Sequence, residues 1–450
     1  MNRPASRPFA GQRIAVVGLG RAGLPAARRL RAWGAEVTCW DDGAAPRAAA
    51  AAEGFVVADP AAGFAFDALL LSPGIPHRLP APHPAAAAAA AAGAPILCDV
   101  AFLHRAVRAA GSRARFVGIT GTNGKSTTTA LLGHILACAG VPAAVGGNLG
   151  PAALDMPVLG DDGVYVLEMS SYMLERIEGV RFNCAAMLNL SADHLDRHGD
   201  MAGYRAAKAR IFAAQTAEDC AVLGQEDAWT SSLAPGLAAR VVPLGPGGVW
   251  WEGRALRDDH GQLADLDSCP ALPGAHNAQN AAAAVALALA LGVARSTLPA
   301  ALAGFPGLPH RQETVRTIGR LRFVNDSKAT NADSAARALA SYARVVWIAG
   351  GTGKAGGIAP LAPLFPRIAE AFLIGRDAPA FAETLAAHQV PHRLCGTLEA
   401  AVPAAAAAAR AGAADIVLLS PAAASFDQFS GFDARGEAFR ALVAALPEAA

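Results

Sequence analysis

The amino-acid sequence predicts an α/β protein whose sheets are mainly parallel. Short apolar runs alternate along the 450 residues with longer stretches rich in Ala and Leu, as in strands joined by crossover helices. Runs in the last third end in small residues, and ligands of open α/β sheets bind where strands end. The predicted strands are residues 14–17, 37–40, 68–71, 116–119, 164–168, 345–349, 371–374 and 416–419.

Two joints divide the chain into three predicted domains. At about 150 residues per domain, a chain of 450 residues also suggests three. Residues 108–115 form a polar joint before the strand at 116–119. Residues 304–309 read GFPGLP, a composition typical of a linker. The predicted domains are therefore residues 1–110, 111–307 and 308–450.

Composition and charge argue against several classes of protein. The 38 Lys and Arg balance 37 Asp and Glu, so the chain has no basic excess for a long nucleic-acid tract. The seven cysteines form no CxxC pair, which argues against a zinc ribbon or a secreted disulfide framework. No stretch resembles a membrane span or a signal peptide. We expect a cytoplasmic monomer that acts on small molecules, without nucleic-acid or membrane partners.

The strongest motif is a glycine-rich turn between a predicted strand and a predicted helix. Residues 118–127 read GITGTNGKST, with a helix expected over 128–139. Backbone N–H groups of such a turn hold phosphate oxygens, its lysine neutralises the β- and γ-phosphates, and its hydroxyl binds Mg²⁺. The strict GxxxxGK[ST] pattern has glycine where this chain has Ile119. The predicted nucleotide-binding residues are Gly121, Thr122, Asn123, Gly124, Lys125, Ser126, Thr127 and Thr128.

A carboxylate closes the run at 164–168. Glu168 lies where a second ligand would complete a Mg²⁺ site with Ser126, although a glutamate at a strand end can equally be a capping or solvent residue. His194 and His198 have the four-residue spacing of a zinc pair on a helix. They lack an HExxH motif and a nearby third ligand.

A second glycine motif lies near the N-terminus. Residues 18–23 read GLGRAG after a predicted strand, and Asp41 follows 18 residues later. By itself this pattern predicts a dinucleotide such as NAD or FAD, since a helix N-terminus there can hold a pyrophosphate. The same geometry suits the diphosphate of another nucleotide.

The ordered set of motifs resembles the Mur ligase family of ATP-dependent amide-forming enzymes. GTNGKST, LEMSS, DHLDRH and YRAAK occur in this order, followed by HNAQN, NDSKATN and SPAAASFDQF. The resemblance extends from Gly18 to about Gly436. It implies a Rossmann-like N-terminal domain for a UDP-linked substrate, a central P-loop ATPase domain and a Rossmann-like C-terminal domain that closes over an amino acid.

The resemblance also implies a reaction. The motifs match the family member that adds D-glutamate to UDP-N-acetylmuramoyl-L-alanine in peptidoglycan precursor synthesis, through an acyl phosphate, with ATP and two Mg²⁺ ions. In that scheme Lys125 acts on the phosphates, Ser126 and Glu168 hold one ion, and His194 and Lys208 hold the other, with Lys208 carbamylated by CO₂. Asn280, Arg311 and Asp326 would hold adenine, phosphate and ribose.

The substrate residues implied by the resemblance fall into two groups. Those expected to contact the UDP-linked substrate are Gly18, Leu19, Gly20, Arg21, Asp41, Ser72 and Asn148. Those expected to contact D-glutamate are Lys328, Thr330, Lys354, Ser425 and the backbone of Phe432.

Two departures from the family pattern and several alternatives stay open at this point. Met173 stands where relatives commonly have glutamine, and Thr352 where they often have an acidic residue. A folylpolyglutamate synthase would normally read GTNGKGS, and a Mur ligase for alanine or a diamino acid would lack the NDSKATN and SxDQF pair. A Mur ligase that takes another amino acid, such as L-glutamate, is a further alternative. An NAD-dependent dehydrogenase would explain only GLGRAG. The residues alone do not distinguish D- from L-glutamate.

Overall fold

The computed structural model describes residues 7–20, 22–354 and 356–448. The chain forms two compact units. Unit one comprises Met1–Asp265 and Gln279–Leu302, and unit two comprises Leu266–Ala278 and Ala303–Ala450.

Unit one begins with a five-stranded parallel sheet in the order β3-β2-β1-β4-β5. Its strands are β1 (Arg13–Val17), β2 (Glu36–Trp40), β3 (Val56–Val57), β4 (Ala68–Leu71) and β5 (Ile96–Leu97). The helices between and after them are α1 (Gly23–Ala32), α2 (Ala44–Ala52), α3 (Pro84–Ala91) and α4 (Asp99–Ala109). All four residues of β4 are buried, because helices cover both faces of a parallel sheet.

A second parallel sheet in unit one has six strands in the order β11-β10-β9-β6-β8-β7. These are β6 (Arg115–Thr120), β7 (Ala143–Gly147), β8 (Val164–Glu168), β9 (Cys184–Met187), β10 (Cys220–Leu223) and β11 (Arg240–Pro243). The helices of this part are α5 (Lys125–Cys138), α6 (Ser171–Leu174), α7 (Leu195–His198), α8 (Met201–Ala209) and α9 (Ala228–Ser231). The central strands β6 and β8 end beside each other, at the edge where the predicted phosphate turn begins.

An antiparallel sheet and two helices complete this stretch of the chain. The sheet consists of β12 (Trp250–Glu252), β13 (Ala255–Asp258) and β14 (Gly261–Asp265). The helices are α10 (His276–Ala290) and α11 (Leu298–Ala303). The division between the two units passes through both helices.

Unit two contains a six-stranded sheet in the order β15-β16-β20-β17-β18-β19. The strands are β15 (Glu313–Ile318), β16 (Leu321–Asn325), β17 (Val345–Gly350), β18 (Ile368–Ile374), β19 (His392–Gly396) and β20 (Ile416–Leu419). The helices are α12 (Ala332–Ala340), α13 (Ala378–Ala387), α14 (Leu398–Arg410) and α15 (Phe432–Ala444). Only β15 runs antiparallel to its neighbour. The buried Trp347 donates from Nε1 to the carbonyl oxygen of Ser420 at 2.8 Å and so joins β17 to the end of β20.

The α/β class with mainly parallel sheets is confirmed. The predicted strands at 68–71, 164–168 and 416–419 have the observed bounds, and the other five differ by a few residues at their ends. The helix expected from residue 128 begins earlier, at Lys125, because Gly124 adopts a left-handed conformation (φ 85°) and turns the chain directly into α5. The three-domain division stays a prediction.

Among the described residues, no helix combines the length and apolar character that crossing a bilayer requires.

Close packing at the first glycine turn leads to a stability prediction. A Cβ at Gly23 would lie 1.8 Å from the carbonyl oxygen of Gly18, whereas a Cβ at Gly20 would have no atom within 4 Å. Gly23→Ala should therefore lower the free energy of unfolding by about 1–3 kcal/mol, since the turn must shift to admit the methyl group. Gly20→Ala, the matched control, should change it by less than about 0.5 kcal/mol. Urea unfolding followed by circular dichroism compares them, and equal midpoints would contradict this packing.

Candidate functional site

The glycine turn after β6 is closed by contacts to the loop after β9 and to α10. Thr122 N–H donates to the Asn189 carbonyl at 2.8 Å, and Asn123 N–H donates to the Asn189 side-chain oxygen at 2.9 Å. A Cβ at Gly124 would lie 2.1 Å from Oδ1 of Asn280. Only glycine fits there, because the position combines positive φ with this close approach.

Lys125 opens α5 directly beneath the turn. Its Nζ donates to the carbonyl oxygens of Gly121 and Thr122, at 2.9 and 2.8 Å. Ser126 is buried in the first turn of the helix. Thr128 is also buried, and its hydroxyl donates to the Asn280 carbonyl at 3.5 Å. The turn therefore collects an ammonium group, a hydroxyl and a helix N-terminus at one edge of the sheet, a combination that attracts anions.

Glu168 ends β8 beside this turn, paired in register with Ile119 of β6. Its side chain is 2% exposed. Oε1 accepts a hydrogen bond from Nδ2 of Asn148 at 2.8 Å, while Oε2 is buried without a hydrogen-bond partner. Buried polar atoms are rarely left unpaired, so this oxygen is directed at something the chain itself does not supply.

Lys208 on α8 also contacts this turn. Its Nζ donates to the Gly121 carbonyl at 2.8 Å and to Oγ1 of Thr120 at 3.2 Å. The side chain is 2% exposed. Burial, reinforced by the positive charge of Lys125, holds the pKa of Lys208 well below its ordinary value, against the opposing charges of Asp193 and Glu168. A neutral amine is therefore favoured here.

His194 faces the same region from a strained backbone position. It is the N-cap of α7 with φ 54°, in the left-handed region that non-glycine residues seldom adopt. Its Nδ1 lies 2.8 Å from the Tyr172 hydroxyl. Burial lowers the pKa of His194, with Lys208 and Lys125 acting in the same direction and Asp193 against it.

The N-terminal glycine turn forms a compact arrangement with two of the predicted substrate residues. Asp41 accepts from Leu19 N–H at 2.7 Å, and the Ser72 hydroxyl donates to the Gly18 carbonyl at 2.7 Å. Gly20 lies in this turn with open space around it. The predicted residue Arg21 lies outside the described residues.

A cleft in unit one lies beside the N-terminal glycine turn. Gly23, Ser72 and Pro73 line it from the first sheet, and Asn148 and Met173 line it from the second. Asn148 also donates to Glu168. The structure thus places the predicted UDP-side residues Ser72 and Asn148 in one cleft, and Asn148 connects this cleft to the predicted metal ligand Glu168.

In unit two, Asp326 follows β16 and is fully enclosed. Its Oδ2 accepts from the Ser420 hydroxyl at 2.8 Å, and its Oδ1 accepts from Gln312 N–H at 3.2 Å. Burial raises the pKa of Asp326 to about 7, although the Ser420 hydrogen bond and the charge of Arg311 oppose the shift. The predicted ribose residue is therefore a carboxyl group that can hold a proton near neutral pH.

The other predicted residues of unit two lie in loops at the carboxyl ends of its strands. Nζ of Lys328 is 3.6 Å from the centre of the Phe432 ring, a cation–π contact. Thr330 N–H donates to the Lys328 carbonyl at 2.9 Å. Ser425 is buried and Lys354 is exposed. Asn280 belongs to unit one, whereas Arg311 and Asp326 belong to unit two.

Sequence reasoning missed Arg435, which joins three of these loops. The side chain is fully buried on α15. It donates to the Ser327 hydroxyl and carbonyl at 3.0 and 2.9 Å, to the Ala423 carbonyl at 3.0 Å and to the Gly350 carbonyl at 3.3 Å. An arginine on a C-terminal helix gives no local signal of this kind, because most of its partners are backbone carbonyls of loops, which any residue could supply.

Family models match most of the chain. The model described as Mur ligase middle domain matches residues 119–288, and the model described as Mur ligase, glutamate ligase domain matches residues 310–423.

Curated relatives match nearly the whole chain. A protein of Caulobacter vibrioides (strain NA1000 / CB15N) named UDP-N-acetylmuramoylalanine–D-glutamate ligase is 50% identical over 455 residues, 97% of this chain and 96% of that protein. A protein of the same name from Phenylobacterium zucineum is 48% identical over 458 residues, 98% of this chain and 97% of that protein.

Solved structures with lower identity share the fold. The crystal structure of a UDP-N-acetylmuramate–alanine ligase from Thermotoga maritima is 19% identical, with a TM-score of 0.61 over 95% of this chain and 98% of that chain. A UDP-N-acetylmuramoylalanyl-D-glutamyl-2,6-diaminopimelate–D-alanyl-D-alanyl ligase from Acinetobacter baumannii is 21% identical, with a TM-score of 0.59 over 76% and 79%.

The raised pKa of Asp326, about 7 in the fold, predicts a pH-dependent stability of unit two. Between about pH 4 and pH 7 the folded chain keeps a proton that the unfolded chain has released, so the free energy of unfolding falls as pH rises through this window. The contribution, at most about 4 kcal/mol, should be absent in Asp326→Asn. Urea unfolding at several pH values, followed by amide hydrogen exchange in β16 and β20, measures it.

The control for this measurement is Asp415→Asn, since Asp415 is an exposed carboxylate of unit two paired with Arg320. Its pH profile should run parallel to that of the parent chain. Parallel profiles for Asp326→Asn as well would show that the Asp326 proton does not contribute.

Proposed function

The chain belongs to the Mur ligase family, and on that premise we propose that it joins D-glutamate to UDP-N-acetylmuramoyl-L-alanine with hydrolysis of ATP. It is an ATP-dependent ligase that forms an amide bond in peptidoglycan precursor synthesis. The assignment of D-glutamate and of the UDP-linked acceptor rests on the 50% identity, over 97% of the chain, to relatives named for this reaction. The partly buried Lys125 and the buried Glu168 and Lys208 around the glycine turn support ATP chemistry there.

The reaction has two steps. A terminal carboxylate oxygen of UDP-N-acetylmuramoyl-L-alanine attacks the γ-phosphorus of ATP, and ADP leaves. The amine of D-glutamate then attacks the acyl carbon, loses a proton, and inorganic phosphate leaves as the amide forms. The carboxylate alone offers only a poor leaving group, so phosphorylation makes the second step possible. Positioning and charge stabilisation do most of the catalytic work.

The described residues fit a Mg²⁺ site at the phosphate turn. Oε2 of Glu168 is buried without a donor, and the Ser126 hydroxyl lies at the start of α5. Hard oxygen ligands of this kind suit Mg²⁺, which commonly takes only one or two protein ligands and completes its shell with water and phosphate oxygens. Among the described residues, no three His, Cys, Asp or Glu side chains form a ready metal cage.

We assign Ser126 and Glu168 to one ion and His194 and Lys208 to a second. Bound Mg²⁺ would neutralise negative charge on the transferring phosphoryl group. Lys125 would turn its ammonium from the Gly121 and Thr122 carbonyls toward the β- and γ-phosphates. Asn148 would orient the alanine carboxylate next to Glu168.

The assignments in unit two follow the chemistry of the amino acid. D-Glutamate carries two carboxylates, and Lys328, Thr330, Lys354, Ser425 and the Phe432 backbone would supply cations and donors for them. Asp326 and Arg311 would hold ribose and phosphate, and Asn280 would lie on the adenine side. In this proposal the chain has three domains, with residues 1–110 binding the UDP end. Because ATP and a nucleotide-linked sugar are the substrates, we expect a cytoplasmic location, and we expect a monomer.

Phosphate release tests the function directly. With ATP, Mg²⁺ and UDP-N-acetylmuramoyl-L-alanine, the chain should release phosphate when D-glutamate is supplied, and not with L-glutamate, D-aspartate or L-alanine. Lys125→Ala should lose this turnover, by about 10³-fold or more, since the ammonium stabilises charge that develops during phosphoryl transfer. The variant should still bind the UDP-substrate in a calorimetric titration.

Two results would overturn these assignments. Turnover with L-glutamate but not D-glutamate would assign a different amino acid to the chain. Loss of UDP-substrate binding in folded Lys125→Ala would place the UDP site at the phosphate turn rather than at the N-terminal glycine turn.

Lys208 is expected to act as a carbamate. Its neutral amine can attack CO₂ and release a proton, and the product is a carboxylate that supplies oxygen ligands to Mg²⁺. The lowered pKa of Lys208 favours this reaction because only the unprotonated amine is nucleophilic. Lys208→Ala should lose at least about 100-fold in kcat, and acetate should restore part of it by occupying the vacated oxygen position.

The charge-preserving variant separates a carbamate from a cation. Lys208→Arg keeps the positive charge but cannot form the carbamate, so it should stay inactive with or without acetate. Normal turnover of Lys208→Arg would mean that Lys208 acts as a cation.

A further inference from the structure

The loop after β4, residues 72–75, forms one wall of the cleft. Ser72 and Pro73 line it. The Ser72 hydroxyl also donates to the Gly18 carbonyl, so the position of this loop determines the position of the N-terminal glycine turn. The 72–75 loop contains a proline and a glycine and lies outside the helices and strands, so its own backbone does little to hold it.

Arg176 holds this loop from the neighbouring sheet. It lies just after α6 and is 2% exposed. Its Nη1 donates to the carbonyl oxygens of Leu71 and Ser72, both at 2.8 Å, and its Nη2 donates to the Ile75 carbonyl. Nε donates to Nδ1 of His77 at 3.4 Å. Burial lowers the pKa of His77 to about 4, so this ring is neutral and its nitrogen can accept.

Arg197 adds a second guanidinium to the same loop. Its Nη1 donates to the Gly74 carbonyl at 3.0 Å and its Nη2 to the Ile75 carbonyl at 3.5 Å. The guanidinium carbon lies 4.4 Å from the centre of the Tyr172 ring. The Tyr172 hydroxyl in turn contacts His194. One chain of contacts therefore runs from the 72–75 loop to the predicted metal ligand.

We propose that Arg176 and Arg197 are positioning residues that hold the 72–75 loop in the shape that binds the UDP-linked substrate. Neither residue needs to touch the substrate. The inference rests on the proposed function only for the identity of that substrate.

The geometry requires arginine at position 176 in particular. Its donors reach three carbonyls of one short loop, and the planar fork of a guanidinium presents them in fixed directions. A lysine at the same place would keep the charge but direct three donors from one nitrogen, so it could not span Leu71, Ser72 and Ile75 together. Among the described residues, the Arg176 guanidinium donates to the carbonyls of Leu71, Ser72 and Ile75 and to His77, and to no carboxylate.

The test compares Michaelis constants. Arg176→Lys should raise KM for UDP-N-acetylmuramoyl-L-alanine by about tenfold or more, since charged hydrogen bonds that shape the site are lost. KM for ATP and for D-glutamate should stay within about twofold. In Arg176→Ala, guanidinium ion at a non-denaturing concentration should lower the raised KM, whereas sodium chloride at the same ionic strength should not. Arg197→Lys should raise the same KM.

Arg316→Lys is the matched control. Arg316 donates to the carbonyls of Val443, Ala444 and Leu446 in unit two, far along the chain from the 72–75 loop. This variant should leave KM for the UDP-substrate unchanged. An unchanged KM in this control would show that the effect of Arg176→Lys comes from the 72–75 loop. It would not come from losing just any arginine that bridges backbone carbonyls.

Calorimetric titration with the UDP-substrate alone tests this inference independently of the proposed function. If the parent chain binds this substrate but does not use D-glutamate, the proposed function fails while the Arg176 comparison still stands. If Arg176→Ala does not fold, Arg176→Lys carries the comparison. Unchanged affinity and KM for the UDP-substrate in Arg176→Lys, or an equal rise in all three KM values, would overturn the positioning role.

Discussion

Two lysine side chains meet at one carbonyl oxygen, and the rest of the site depends on that convergence. The Gly121 oxygen accepts from Lys125 at 2.9 Å and from Lys208 at 2.8 Å. Two ammonium groups that share one acceptor repel each other. Burial lowers the pKa of Lys208, and the charge of Lys125 acts in the same direction. In the proposed mechanism Lys125 is the cation that meets phosphate, and Lys208 is the amine that reacts with CO₂.

The parts of the fold and of the site that depend on local sequence could be predicted. Strands β4, β8 and β20 have the predicted bounds, since each is a short apolar run followed by a change to polar or small residues. Glu168 was predicted at the end of β8 for the same reason. The start of α5 was placed three residues too late, because the pattern of apolar residues begins after the polar turn of Lys125, Ser126 and Thr127, which is already helical.

The buried arginines show why other parts of the site could not be predicted. Arg176 binds backbone carbonyls 101 to 105 residues away, and Arg435 binds carbonyls from three separate loops. Every residue has a backbone carbonyl, so the sequence does not show which residue an arginine will bind. An arginine is also more often exposed than buried. The raised pKa of Asp326 could not be predicted from the sequence either, because it follows from the burial of the side chain and not from its neighbours in sequence.

The burial of Lys208 has a consequence for the chemical modification of this protein. Of the 38 Lys and Arg side chains only four are lysines, at positions 125, 208, 328 and 354, and each has a role in the proposed function. Arginine serves the structural roles elsewhere, as in the bonds of Arg176, Arg316 and Arg435 to backbone carbonyls. Reagents that acylate or reductively methylate side-chain amines therefore address functional positions with almost no background labelling. The extent of labelling at each of the four lysines, read by mass spectrometry, becomes a direct map of how access and protonation differ across the site.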